Sequence, residues 1–195
     1  MVFSKHWARK WLVSALAAGS CGLALLPLAA PAQNTPGLTI FSGVSDRADI
    51  LNYYLDFGGR PNVRDRYRLR IDGRKVELGV AQIAINYPDY FDGTFHTDQL
   101  RVEAGGRNIP IQEVVWDRER QILQIYLGVP PERLADLTED APIPPPIEAQ
   151  TSIEVIIPTT NPRWGGTYYF HARLLSPGDI PLPRYVGTWI LSIGR

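Results

Sequence analysis

The sequence predicts an all-β protein, an antiparallel β-sandwich of Ig-like or jelly-roll-like kind, following an N-terminal signal helix. Three observations predict it. Apolar residues recur with a period of two through most of the chain beyond residue 37. The runs are short and bounded by Gly, Pro, Asn and Asp, the residues of tight turns. No long stretch carries the i, i+3, i+4 spacing of an amphipathic helix. Short strands at close spacing bury one face each by stacking as two sheets, with a closed barrel as the second arrangement.

The first thirty-two residues stand apart. Lys5, His6, Arg9 and Lys10 form a basic head, and no acidic residue precedes Asp46. An apolar stretch from Trp11 to Ala30 ends in Ala30-Pro31-Ala32, small residues at the positions a signal peptidase reads. Residues 1–32 are therefore expected to be a signal peptide cleaved before Gln33. The alternative is an uncleaved membrane anchor, since the apolar run approaches the ~20 residues that span a bilayer. Cys21 lies inside that run, with Leu23, Leu25 and Leu26 after it, and reads as a small apolar residue of the signal.

The elements that follow are expected to make a single sandwich domain over 38–195. Leu38 to Phe41 is a short first strand. In Ile50 to Phe57, Leu51, Tyr53, Leu55 and Phe57 share a face, and Gly58-Gly59-Arg60-Pro61-Asn62 breaks the run. Tyr67, Leu69 and Ile71 alternate with Arg66, Arg68 and Arg70. Ala81, Ile83, Ile85 and Tyr87 alternate with Gln82, Ala84 and Asn86. Leu100 to Glu103 comes next and ends at Gly105-Gly106. Ile111 to Trp116 and Gln121 to Leu127 flank Asp117-Arg118-Glu119-Arg120, which suits a four-residue hairpin loop. Ser152 to Ile157, Thr167 to Leu175 and Tyr185 to Ile193 complete about nine or ten strands. Between them, 128–150 is rich in Pro and acidic residues. It reads as a long, partly extended loop with a short helical turn at Pro131 to Leu137, either a connector or a docking strip.

Composition excludes several chemistries. Cys21 is the only cysteine and leaves with the signal, so the mature chain has no disulfide, thiol nucleophile or thiolate metal site. Of the 20 basic residues, Lys5, Arg9 and Lys10 also leave, so 17 face 20 acidic ones, a net charge of −3. That balance gives no reason to expect nucleic acid or an anionic membrane surface as partner. Lys75 is the one lysine that remains, so arginine carries nearly all positive charge and favours planar, bidentate contacts.

Candidate sites are few. Arg66, Arg68 and Arg70 project from one strand face and can clasp carboxylates or phosphates; alternatively they pair with Asp65, Asp72 or neighbouring strands and guard a sheet edge. Trp164 lies in a turn, beside Arg163, where an indole can stack on a sugar; the alternative is packing. Asp89, Asp92 and Asp98 match no calcium-loop spacing and read as turn formers, so no metal or cofactor is expected. His96 and His171 are too few for a zinc site of their own, with His171 on an outward face beside Tyr169 and Arg173. No nucleophile elbow, phosphate loop or metalloprotease motif occurs.

Asn161-Pro162-Arg163-Trp164-Gly165-Gly166-Thr167-Tyr168-Tyr169-Phe170 resembles the signature of a cyanobacterial family called domain of unknown function 2808. Pro88-Asp89-Tyr90-Phe91-Asp92-Gly93-Thr94-Phe95, Ile109-Pro110-Ile111, Val115-Trp116-Asp117 and Tyr185-Val186-Gly187-Thr188-Trp189-Ile190 are similar too. The resemblance runs from about Phe41 to the C-terminus. It implies an exported periplasmic or cell-envelope protein and carries no catalytic residues. Within the signature, Asn161-Pro162 favours turn initiation, and Gly165-Gly166 is expected to supply backbone angles closed to other residues.

The expectation is a non-catalytic binding or structural module of the envelope. Arg163 and Trp164, with Arg66, Arg68 and Arg70, are its candidate ligand contacts, and envelope polysaccharide or envelope protein its partner. The competing class is a hydrolase of envelope polysaccharide using Asp92 and Asp98.

Overall fold

Alternation decides which side chains meet. In a computed structural model, which describes residues 46–134, 143–178 and 183–194, the period-two runs stack into two six-stranded sheets around one apolar interior. Residues 1–32, read as a signal peptide, and Leu38 to Phe41 lie outside the described residues. In chain order the strands are β1 (Ile50–Leu51), β2 (Tyr53–Leu55), β3 (Arg64–Ile71), β4 (Gln82–Asn86), β5 (Thr94–Phe95) and β6 (Arg101–Ala104). Then come β7 (Arg107–Ile109), β8 (Ile111–Asp117), β9 (Ile122–Leu127), the single helical turn α1 (Pro131–Leu134), β10 (Ile153–Thr160), β11 (Gly166–Leu175) and β12 (Arg184–Ile193).

The first sheet has the order β1-β12-β11-β4-β9-β8. The second runs β2-β3-β10-β6-β7, with β5 also on β10. Every pairing is antiparallel except β1 with β12. The predicted antiparallel sandwich is thus present, with that one parallel contact added.

Ile50 to Phe57, which alternates as one strand, is two. The chain leaves the first sheet after Leu51, passes through Asn52, and enters the second at Tyr53. On the opposite side it returns through Pro110, between Ile109 of β7 and Ile111 of β8. Proline suits that crossing because a residue leaving one ladder for another has no place to donate its N–H. Glycine is required where β1 enters: Gly187 has φ +146°, and a Cβ there would lie 2.6 Å from the Asp49 carbonyl oxygen.

The interior is filled from both layers. Tyr67, Leu69 and Ile71 of β3 and Val155 and Ile157 of β10 face Phe170 and Ala172 of β11 and Trp189 and Leu191 of β12. Trp189 is fully buried, and its indole N–H donates across the sandwich to the Arg70 carbonyl at 3.1 Å. Tyr87, Phe91, Phe95 and Phe170 form a cluster with ring centroids 5.0–6.0 Å apart, mostly edge-to-face with Phe91 stacked on Phe95, geometries that suit the ring quadrupoles. β4 is buried on both faces, because Gln82 and Ala84 are covered as well as Ile83 and Ile85. The Pro-rich stretch is fastened at its far end: Ile147, 1% exposed, pairs with Val80 through N–H···O bonds of 2.8 and 3.2 Å.

Candidate functional site

Loops 56–63, 88–93 and 161–165 gather at one end of the sandwich with the end of β12. A buried carboxylate organises them. Asp65 occupies an inward position of β3, between the outward Arg64 and Arg66, and is 1% exposed. Its oxygens accept the N–H of Phe57 at 2.9 Å and of Gly59 at 2.7 Å, which folds the 57–59 turn onto the strand end.

Asn161 is the second buried anchor. Its Oδ1 accepts the Tyr67 hydroxyl at 2.6 Å; its Nδ2 donates to the Arg60 carbonyl at 2.8 Å and reaches Asp65 at 3.5 Å. The backbone adds Asn161 N–H to Val63 C=O at 3.0 Å and Asn62 N–H to Pro162 C=O at 2.8 Å. Burial, with the Asp65 charge nearby, holds the Tyr67 hydroxyl far above its ordinary range, so it stays a neutral donor.

On this base the signature turn presents its next two residues outward. Arg163 N–H donates to Asp92 Oδ1 at 3.1 Å, and its Nε lies 3.9 Å from Asp92 Oδ2 with the side chain 79% exposed. The Trp164 carbonyl accepts the Tyr168 hydroxyl at 2.8 Å, while its indole is 77% exposed. Tyr168 in turn packs at a tilt on Tyr90 at 5.5 Å and edge-to-face on Phe91 at 5.3 Å. Tyr90 is exposed and donates to the Thr167 carbonyl at 3.3 Å. Desolvation raises the hydroxyl pKa of both tyrosines, so both remain neutral.

The glycines of the signature act differently from expectation. Neither Gly165 nor Gly166 has a positive φ. Gly165 is needed for space instead: a Cβ there would sit 3.1 Å from the Ile193 carbonyl oxygen and 3.2 Å from Gly194 Cα.

The arginine stripe lies on the outer face of the second sheet. Asp56 bridges Arg66 at 3.1 Å and Arg68 at 2.8 Å; Glu154 bridges Arg68 and Arg70, both at 3.0 Å. The result is an alternating ladder whose middle member, Arg68, is held charged by hydrogen bonds to Asp56 and then Glu154. Asp65 faces inward and Asp72 binds Arg74, so neighbouring strands supply the partners. The ladder ends at Arg70, which lines an open groove of about 620 Å³ with Lys75, Glu103 and Gly105-Gly106.

The remaining candidates are dispersed. Asp98 accepts from Gln99 in a short 3-10 turn, and Asp92 is engaged by Arg163. Among the described residues no group of three or more His, Cys, Asp or Glu gathers as metal ligands. His96 Nε2 contacts Thr160 Oγ1 at 3.0 Å. His171 stands on the outer face, as read, yet is buried; its Nδ1 meets Thr188 Oγ1 at 2.7 Å, and burial lowers its pKa with help from Arg173.

Sequence reasoning passed over Asp65, Asn161 and Tyr67 as one network. The available signal was Asp65 itself, an acid on the parity that carries Tyr67 and Leu69, where a charge demands buried partners.

Two stacked, mostly antiparallel sheets define the class: a β-sandwich. The chain belongs to the family described as "Protein of unknown function (DUF2808)", which matches residues 38–133 and 142–193. No curated protein matches it. Solved structures similar to it include the collagen-binding domain from a Staphylococcus aureus adhesin, at 9% identity over 79% of this chain and 99% of that one, TM-score 0.40. The major pilin of Streptococcus agalactiae, as a C-terminal fragment, is similar at 12% identity over 74% and 55%, TM-score 0.41. An uncharacterized protein from Nocardia farcinica with an immunoglobulin-like fold gives 7% identity over 75% and 99%, TM-score 0.40. Likeness at this level carries nothing about function. Among the described residues, no helix is long and apolar enough to cross a membrane.

Proposed function

We propose that the chain is exported and serves as a non-catalytic recognition module of the cell envelope, binding an acidic polysaccharide through Trp164 and Arg163. The basic head, apolar middle and Ala-Pro-Ala tail of residues 1–32 support export. The observation that carries the binding reading is the Trp164 indole, 77% exposed on a turn whose backbone is held at Asn161, Pro162, Arg163 and Trp164. A large ring left in water on a fixed support gives nothing to the core and loses little freedom on contact. Its flat face suits the C–H face of a sugar ring. Arg163 stands next to it with, among the described residues, only a long side-chain contact to Asp92, which leaves its terminal N–H groups to a uronate carboxylate.

The test is calorimetric titration of the chain with a polyuronate and with neutral dextran. Polyuronate binds and dextran does not; Trp164→Ala and Arg163→Ala each weaken binding at least about tenfold while stability stays within about 0.5 kcal/mol. Polyuronate binding unchanged in the double variant, or no polyuronate binding at all, sinks the reading.

A further inference from the structure

β8 ends the first sheet on the side away from β1, and no strand lies beyond it among the described residues. Neighbouring pairings fix which of its backbone groups are taken. Tyr87 N–H donates to the Gln121 carbonyl at 3.0 Å and Leu127 N–H to the Ala81 carbonyl at 2.9 Å, so the odd-numbered residues of β9 bond toward β4. Ile122, Gln124 and Tyr126 therefore bond toward β8, where they face Asp117, Val115 and Glu113. The alternation leaves the N–H and C=O of Val114 and Trp116 directed at the open edge, with no backbone partner among the described residues.

The side chains agree. Among described strands of four or more residues, β8 alone has no buried residue. Ile111, Val114 and Trp116 pack against the core but remain half-buried, although Leu123 and Ile125 beside them on β9 are fully buried. The Arg118 guanidinium lies over the Trp116 ring, 4.0 Å from its centroid, and the cover still missing is at the edge. On the outer face β8 shows Glu113, Val115 and Asp117. Glu113 makes no ion pair among the described residues; Asp117 accepts the Glu119 and Arg120 N–H groups at 3.0 Å through Oδ1, and its one ion-pair partner there is Arg120 at 3.7 Å. Pro110 and the bulge between Ile111 and Glu113 blunt one end, so the open stretch is Glu113 to Asp117.

We propose that β8 is a docking edge for an extended segment of a partner protein, with basic residues four apart on its outward face and apolar residues at the inward positions between. The free backbone groups supply the ladder; Glu113 and Asp117 select the charge; the inward residues complete the cover of Val114 and Trp116. A second copy is the weaker occupant. Two β8 strands paired antiparallel about Val115 set Glu113 against Asp117 twice, a like-charge arrangement that opposes pairing.

The probe is a terminally blocked Lys-Val-Thr-Val-Lys peptide added to the isotope-labelled chain and followed by amide chemical shifts. Saturable shifts at Val114, Trp116 and their β9 neighbours are expected. They should weaken at least tenfold with Glu-Val-Thr-Val-Glu, with the Glu113→Lys variant, and with the lysine peptide N-methylated at both valines. The N-methylated peptide keeps charge and side chains while removing the ladder, and it leaves the protein unaltered. Shifts away from β8, equal binding of the N-methylated peptide, or sedimentation showing β8 already paired in a dimer would each overturn the proposal.

Discussion

Replacing Asn161 by alanine removes the amide from the centre of the loop end while leaving the turn's backbone intact. Two groups lose their partners: the buried Tyr67 hydroxyl, bonded at 2.6 Å to Oδ1, and the part-buried Arg60 carbonyl, bonded at 2.8 Å to Nδ2. Tyr67 is fully buried, so water does not readily replace the amide. An unsatisfied buried polar group costs about 1–3 kcal/mol; the Tyr67 hydroxyl bears this in full and the Arg60 carbonyl, within reach of water, adds about 1 kcal/mol at most, which gives about 1–4 kcal/mol for the pair. In a domain of this size each kcal/mol lowers Tm by about 2–4 °C, so the midpoint should fall by roughly 2–16 °C. Urea unfolding, read by fluorescence of the buried Trp189, measures the change directly. Tyr67→Phe alone should cost less, because it strands only the acceptor. Combined with Asn161→Ala it should recover about 1 kcal/mol or more relative to additivity, since the hydroxyl that lost its acceptor is gone. A cost under about 0.5 kcal/mol for Asn161→Ala, or an additive cycle, would refute the reasoning.

Other expectations follow from the same geometry. Burial lowers the His171 pKa in the fold below its unfolded value near 6.5, so the unfolded chain binds more protons at acid pH; stability is present above about pH 6.5 and declines as pH falls through it. Stability of the native chain and of His171→Gln from pH 7.5 to 5 should differ in slope, and equal slopes would exclude this origin. Glu154→Gln removes the charge shared by Arg68 and Arg70 in a partly exposed ladder and should cost about 1 kcal/mol, less at high salt, as denaturation at two ionic strengths would show. Gly187→Ala combines a φ of +146° with a 2.6 Å approach to the Asp49 carbonyl and should release β1, raising amide exchange at Leu51 and lowering stability by about 2 kcal/mol or more. Unchanged exchange there would mean that β1 does not depend on the glycine.

Much of this fold is legible in the sequence because alternation is a local signal. β3, β9, β10, β11 and β12 each bury the residues that their period-two pattern marks. What is not local is not legible. Leu51, Tyr53 and Leu55 keep one parity through Asn52, so nothing in the pattern reports that the chain changes sheets there. The two residues of β5 and three of β7 are too short to show a period. Ile147 sits among prolines with no alternating neighbours, and only the pairing with Val80 gives it a place in the interior. At the loop end, the turn chemistry of Asn161-Pro162 pointed to Arg163 and Trp164, and both stand exposed. Asp65 was readable by parity. The pairing of Arg66, Arg68 and Arg70 with Asp56 and Glu154 was not, since it depends on which strands become neighbours.

The crossings at Asn52 and Pro110 make the barrel-like question moot in a useful way. Each flank of the sandwich is sewn by a peptide bond, so the two layers form a sleeve and not a pair of plates. Plates can slide or part to admit something between them, and a sleeve stitched at both flanks resists both motions. Opening it would mean tearing strand ends from their ladders. The interior with Trp189 and Phe170 is therefore a permanent filling.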